Sequence, residues 1–312
     1  MRGKAAWTVA SELIKARLTL LVVLTTSVGF YLGSSSPVDF GLLLHATGGT
    51  ALLASGAAVL NQLLEREWDG RMRRTADRPL PSGRVTPNTA LAVGALLSVA
   101  GMGWLLVRVN PITALLGAVT LVTYLFCYTP LKRRTVLNTV VGAIPGALPP
   151  LMGWTAATQS VSAPGWALFG ILFFWQLPHF MAIAWLYRDD YAGAGFRMLS
   201  GTDPDGRRTA ASAVRNTFAL MLVSWFPYLF GLAGRWYLAG ALVMGAGFLA
   251  ASILFARRRT PRTARLLFFA SILYLPLLLV LLVVDKPSRK LTSQPGAPLA
   301  SRVVAGAPAL LR

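Results

Sequence analysis

A lone cysteine, Cys127, in a chain of 312 residues rules out an internal disulfide. Its setting between Phe126 and Tyr128 suits a small buried side chain rather than a redox centre. Histidine is nearly as scarce, with only His45 and His179. No Ser-His-Asp or Cys-His arrangement is evident, and neither is a c-type heme attachment motif nor a pair of axial heme ligands. Charged side chains make up just 13% of the chain while 55% is apolar, a balance that excludes an ordinary soluble domain. Acid is the scarcest charge: eleven carboxylates face thirty lysines and arginines, for a net charge of +19. In a soluble chain that excess would suggest nucleic acid. Here anionic lipid and membrane topology account for it better.

What the chain has in quantity is long apolar runs. Each run near 20 residues can cross a hydrocarbon core of about 30 Å as a helix, at about 1.5 Å per residue. The expected spans are 18–35, 40–62, 88–107, 111–130, 136–155, 165–186, 213–232, 236–256 and 266–284. This predicts an all-α, polytopic membrane protein of about nine transmembrane helices in one domain, residues 1–285. A Pro-, Ser-, Gly- and Ala-rich tail from 286 to 312 has the composition of a disordered segment. Most basic residues fall before the first span or in the loops after spans 2, 4, 6 and 8. The positive-inside bias therefore places the N-terminus and those loops in the cytoplasm and the C-terminus outside. Lys15 and Arg17 precede an apolar run with no convincing cleavage site, so a secretory signal peptide is not expected.

The acids are distributed less evenly than the bases. Glu65, Glu67, Asp69 and Asp77 follow span 2, and Asp189, Asp190, Asp203 and Asp205 follow span 6. Asn61, Glu65 and Asp69 are spaced i, i+4, i+8 and share one helical face. Arg71, Arg73, Arg74 and Arg78 come directly after them. A solvated loop at a helix end would explain the arginines but not the carboxylates, which are costly near a bilayer and tend to be functional there. Oxygen ligands beside guanidinium groups suit a magnesium-bound diphosphate, because hard cations take carboxylate oxygens and Arg grips phosphate in a fork. Two acidic clusters on one side of the membrane suggest a shared cavity able to hold more than one Mg2+.

The Asn61-x-x-x-Glu65-x-x-x-Asp69 motif with its Arg-rich continuation resembles the first acidic motif of the UbiA superfamily of membrane prenyltransferases. The resemblance runs over about residues 10–285 and is nearest to the branch that modifies heme. It rests also on IKARLTLLVVLTTSVGF (14–30), RPLPSGR (78–84), YTPLKRRT (128–135), GALPPLMGW (146–154), FWQLPHF (174–180) and DDYAGAGFRML (189–199). It implies a helical bundle with a central cavity open to the cytoplasmic side of a cell inner membrane, and farnesyl diphosphate and heme b as substrates. On that basis Asn61, Glu65 and Asp69 would hold Mg2+, with Asp189 or Asp190 contributing from the opposite loop and Asp190 the nominated ligand. Arg73, Arg74, Arg78, Lys132 and Arg133 would bind the diphosphate. His179 would contact heme iron or a propionate, or else pack across helices, while His45 would be structural. A heme a synthase or terminal-oxidase assembly proteins are the implied partners, with no nucleic acid.

Three departures stand out. Glu65 occupies a position that is commonly Asp in the superfamily. No acid stands four residues before Asp189 or Asp190, where Trp185 and Leu186 are found. Ala16 replaces a proline expected between Lys15 and Arg17. Two other readings compete: the same chemistry on another acceptor such as a quinone precursor, and a polyanion transporter with the arginines as its funnel. A transporter would be expected to place charge near the bilayer midplane, whereas nearly all charge here lies at span ends. Trp154, Trp166, Trp175, Trp185, Trp225 and Trp236 either line a prenyl cavity or form interfacial belts.

Overall fold

The computed structural model describes residues 5–287, and every regular element among them is helical. The expected tail lies outside the described residues from position 288 onward. The elements are α1 (Ala6–Leu13), α2 (Ala16–Gly33), α3 (Phe40–Asp69), α4 (Pro87–Arg108), α5 (Pro111–Leu131), α6 (Asn138–Thr158), α7 (Ala163–Leu186), α8 (Arg188–Gly193), α9 (Arg207–Val223), α10 (Phe226–Leu229), α11 (Arg235–Arg258) and α12 (Pro261–Val284). Among the described residues, eight are long and apolar enough to cross a membrane: α2 to α7, α11 and α12.

Local sequence explains where these helices start. Thr86-Pro87, Asn110-Pro111 and Thr260-Pro261 each pair an N-cap hydroxyl or amide with proline at the first helical position. The side chain accepts a backbone N–H that would otherwise be orphaned, and proline has no N–H to lose there. Asp39 caps α3 in the same way, accepting from Leu42 N at 2.8 Å.

The segment expected as the seventh span departs from the prediction. Its helix, α9, ends at Val223 and gives way to the single turn α10. Pro227 accounts for the break, since its ring clashes with the carbonyl four residues back and it donates no hydrogen bond. Ser224 at the break is tied down from two sides. Its Oγ pairs with Tyr274 OH at 2.9 Å, and its carbonyl accepts from Tyr237 OH at 2.8 Å. The broken helix still packs between α7 and α11, within the largest apolar core.

With no hydrophobic drive between helices in lipid, close packing needs small residues. α2 and α6 meet at Gly29 and Gly153. A methyl group on Gly29 would collide with Pro150 O, and one on Gly153 with Thr26 O, so the two backbones lie in direct contact. α6 stays helical through Pro145, Pro149 and Pro150. At the far end of the bundle Lys286 donates to Tyr31 O and Ser34 O, fastening the end of α12 to the end of α2. Gly153→Ala should therefore lower stability by about 1–3 kcal/mol through overpacking, read as a lower thermal unfolding temperature of the detergent-solubilised protein. An unchanged value would mean that α2 and α6 separate readily.

Candidate active site

The end of α3 carries the acids that the sequence singled out. Asn61, Glu65 and Asp69 stack along one face and are 0%, 3% and 2% exposed. The chain then folds back over them. Thr75 Oγ1 donates to Asp69 O at 2.8 Å, and Arg78 Nη1 donates to Asp69 Oδ2 at 2.6 Å. From the end of α5, Lys132 Nζ reaches Glu65, 2.7 Å from Oε1 and 2.9 Å from Oε2. The ammonium thus pairs with both carboxylate oxygens, the Oε2 contact having hydrogen-bond geometry. Lys15, in a left-handed conformation at the start of α2, donates to Asn61 Oδ1 at 2.6 Å. The other end of the Asn61 amide donates to Thr129 Oγ1 at 3.0 Å.

Burial and cross-charging set the state of the two lysines. Burial pulls the Lys15 ammonium down to about 7; the Arg78 guanidinium adds to this and the Glu65 carboxylate opposes it. Burial is also the largest single influence on Lys132 and acts the same way, but Glu65 together with Tyr128 and Tyr124 outweighs it, and its pKa ends above the ordinary lysine value.

These groups ring the mouth of a cavity of about 360 Å3 bounded by α2, α3, α5, α6 and α7. Four cationic side chains (Lys15, Arg74, Arg78 and Lys132) stand against two carboxylates, Glu65 and Asp69. Below them the walls are small or apolar: Leu18, Ala54, Ala57, Ala58, Gly142, Pro145 and Gly146. The aromatic lining is Tyr124, Tyr128, Phe180, Tyr191 and Phe196. None of the six tryptophans considered from the sequence lines the cavity. Tyr124 and Tyr128 lie in a π-helical stretch of α5, Thr123–Tyr128, and stack with centroids 5.7 Å apart. Such wide turns recur at functional sites. The segment carrying Tyr191 and Phe196 is held over the mouth by Arg197 N, which donates to Lys132 O at 2.7 Å.

The remaining expected residues are distributed differently. Asp189 and Asp190 lie in the first turn of α8, beyond the helix break at Tyr187, and share a separate outer pocket with Arg73, Leu186 and Tyr187. They do not join Glu65 and Asp69. Arg74 separates the two spaces: it donates to Tyr191 OH at 3.0 Å and lies over the Tyr187 and Tyr191 rings. Arg133 is exposed and stacks 3.8 Å over Trp68. His179 is outside the cavity lining, although Gln176, Phe180 and Ile183 of the same helix are within it. His45 Nε2 accepts from Arg108 Nη2 at the opposite end of the bundle, 3.1 Å away.

Among the described residues, no three His, Cys, Asp or Glu side chains cluster tightly enough to hold a metal by themselves. Glu65 and Asp69 both line the cavity, and their carboxylate oxygens fit a hard cation shared with a polyanion, whereas Asn61 lies outside the lining with both ends of its amide bonded to Lys15 and Thr129. Lys15, Tyr124 and Tyr191 were not singled out from sequence. For Lys15 the available signals were its place in the 14–30 block and its position as a cation directly before an apolar span.

Lys132→Met would leave Glu65 buried without its countercharge. Stability should fall by about 3–5 kcal/mol, and adding Glu65→Gln should restore most of the loss, checked by thermal unfolding of both variants. Additive losses would mean the pair is uncoupled.

A model of the UbiA prenyltransferase family matches residues 22–273. A protoheme IX farnesyltransferase of Solibacter usitatus is 48% identical over 285 residues, covering 88% of this chain and 98% of the relative. That of Salinibacter ruber is 48% identical over 273 residues, covering 88% and 96%. Among solved structures, one concerning digeranylgeranylglyceryl phosphate synthase aligns with a TM-score of 0.76 at 18% identity, over 89% of this chain and 98% of that one. A UbiA homolog from Archaeoglobus fulgidus bound to GPP and Mg2+ aligns with a TM-score of 0.60 at 14% identity, over 88% and 99%. At these identities the structural likeness is one of fold.

Proposed function

We propose a heme-modifying reaction for this chain, which belongs to the UbiA prenyltransferase family. It transfers a farnesyl group from farnesyl diphosphate to a vinyl group of protoheme IX with addition of water, giving heme o and diphosphate. The relatives' activity supplies donor and acceptor. The feature of this molecule that carries the reading is a ring of cations around two buried carboxylates, set at the mouth of an apolar cavity.

Glu65 and Asp69 would hold Mg2+, with Asn61 behind them in the same helical row; when bound, the ion would neutralise charge on the departing diphosphate. Arg74, Arg78, Lys132 and Lys15 bind its phosphate oxygens. Arg73 and Arg133 stand further out and steer the anion inward. Asp189 and Asp190, in the outer pocket, are not part of this set. The prenyl chain lies among the small side chains of α3 and α6. The C–O bond of farnesyl diphosphate breaks, its electron pair leaving with the diphosphate. Aromatic rings in the cavity lining, those of Tyr124, Tyr128 and Phe180, stabilise the allylic cation, and the apolar walls keep bulk water from it. The vinyl π electrons then form the new C–C bond. The resulting cation next to the porphyrin takes up one water molecule and releases one proton. By the positive-inside bias the mouth and N-terminus face the cytoplasm in a cell inner membrane, and a heme a synthase would take over the product.

The test is turnover by purified detergent-solubilised protein with heme b, farnesyl diphosphate and Mg2+, followed by mass spectrometry of the heme. The expected product is heavier by one farnesyl group and one hydroxyl and disappears when a chelator is added. Unmodified heme with intact farnesyl diphosphate, from folded protein, would overturn the reading; transfer to a quinone precursor instead would replace the acceptor. Asp69→Asn should cut turnover by ~100-fold or more with the fold retained. Near-normal turnover would remove Asp69 from the metal set. Arg78→Ala should raise KM for farnesyl diphosphate well above its effect on KM for heme, which steady-state kinetics in each substrate will show.

A further inference from the structure

One face of α7 lines the cavity through Gln176, Phe180 and Ile183. The helix ends at the mouth, where Tyr187 lies under Arg74. Gln176 is about two turns, or about 10 Å, deeper than Ile183, well below the ring of charge. It is 6% exposed. Nε2 donates to Ala143 O at 2.9 Å and to Leu172 O at 3.1 Å. Those two carbonyls fix which end of the amide is which, because a flipped amide would set Oε1 against two acceptors. Oε1 accepts no hydrogen bond among the described residues, and it is not sealed off from the cavity. A methyl group on Gly146 would collide with it, so this glycine is what leaves the oxygen its place at the wall. Two backbone acceptors of the same wall are short of donors, since Pro149 and Pro150 have no N–H to give Pro145 O and Gly146 O. The threonines of the lining differ: Thr19 and Thr120 spend their hydroxyl protons on Ile14 O and Leu116 O.

A glutamine that only tied α7 to α6 is accounted for by Nε2 alone. An amide oxygen left without a donor in apolar surroundings is costly, and a water molecule that donates to it removes that cost. The reaction itself consumes one water, although the apolar walls exclude bulk water, so that molecule has to be held by the protein. We propose that Gln176 Oε1, together with a carbonyl of Pro145 or Gly146, holds the water that captures the cation formed on the acceptor. This role rests on the reading that a heme vinyl group is the acceptor. Both hydrogens of the held water are donated to the wall, and its lone pairs face the cavity. The terminal vinyl carbon bonds to C1 of the farnesyl group, which moves the positive charge to the carbon beside the porphyrin. A lone pair of the water forms the C–O bond there. The proton it gives up ends on an oxygen of the departed diphosphate, so Gln176 stays neutral and no side chain is needed as a base.

Product partition tests this role independently of rate. Gln176→Leu keeps the volume and removes the acceptor. Without a held water the cation loses a proton from the neighbouring carbon and forms a C=C bond, giving a farnesylated heme lighter than the hydroxyl product by one water. The ratio of that alkene to the hydroxyl product should rise by about tenfold or more, read by mass spectrometry against wild-type product carried through the same extraction. Gly146→Ala, which displaces Oε1 but keeps the amide, should shift the ratio the same way. A high-resolution structure of the wild-type protein with the unreactive farnesyl thiodiphosphate should show a water on Oε1, whether or not either variant folds. A folded Gln176→Leu protein with the wild-type ratio, even at reduced turnover, would overturn the water-holding role and leave the reaction standing; so would a dry Oε1 in that structure. A folded wild-type protein that makes no farnesylated heme would overturn the reading beneath it.

Discussion

Two carboxylates buried at the end of a membrane-length helix constrain everything around them. Glu65 and Asp69 are almost fully removed from solvent, and such groups survive in a fold only when countercharges meet them. Lys132 answers the first and Arg78 the second. That need explains why the chain after α3 turns back on itself and why the end of α5 lies beside the end of α3. It also explains the surplus of cation at the mouth: Lys15 and Arg74 add positive charge that the two acids do not balance. The ring is thus stable without ligand and still short of negative charge. A polyanion supplies the missing charge.

Geometry also separates charge from hydrocarbon within the site. The charged groups of the cavity gather at its mouth, and the walls below them are mostly small or apolar, so one molecule with an anionic head and an apolar chain meets both.

Much of this was legible in the sequence because it depends on short-range rules. Apolar run lengths gave the membrane helices, and the Thr-Pro and Asn-Pro pairs mark their starts within a residue. The i, i+4, i+8 spacing put Asn61, Glu65 and Asp69 on one face. What remained hidden depends on long-range packing. The seventh span looked continuous because Leu, Val and Trp flank Pro227, and only the bonds from Tyr237 and Tyr274 to Ser224 show that the break is built in. Asp189 and Asp190 seemed to face the first acids because both loops lie on one side of the membrane. Sharing a side does not mean sharing a pocket, and the Arg74–Tyr191 contact keeps them apart. Lys15 falls in the 14–30 block, but nothing in that block says it meets Asn61; its place in the site follows from its left-handed backbone, which redirects the chain into α2.

The π stretch of α5 has a consequence for how this sequence can change. A π turn holds one residue more than an α turn of the same length, and Thr129 Oγ1 reaching back to Tyr124 O is part of that widened path. Deleting any one residue between Thr123 and Tyr128 would let the helix relax to the ordinary winding. The helix on either side would keep its phase, because the wide turn had absorbed the extra residue, and the loss would fall on the stretch itself. Tyr124 would leave the cavity wall while Lys132 kept its place, although every apolar position remained apolar. Exchanges of side chains should accumulate in this stretch far more freely than changes in its length.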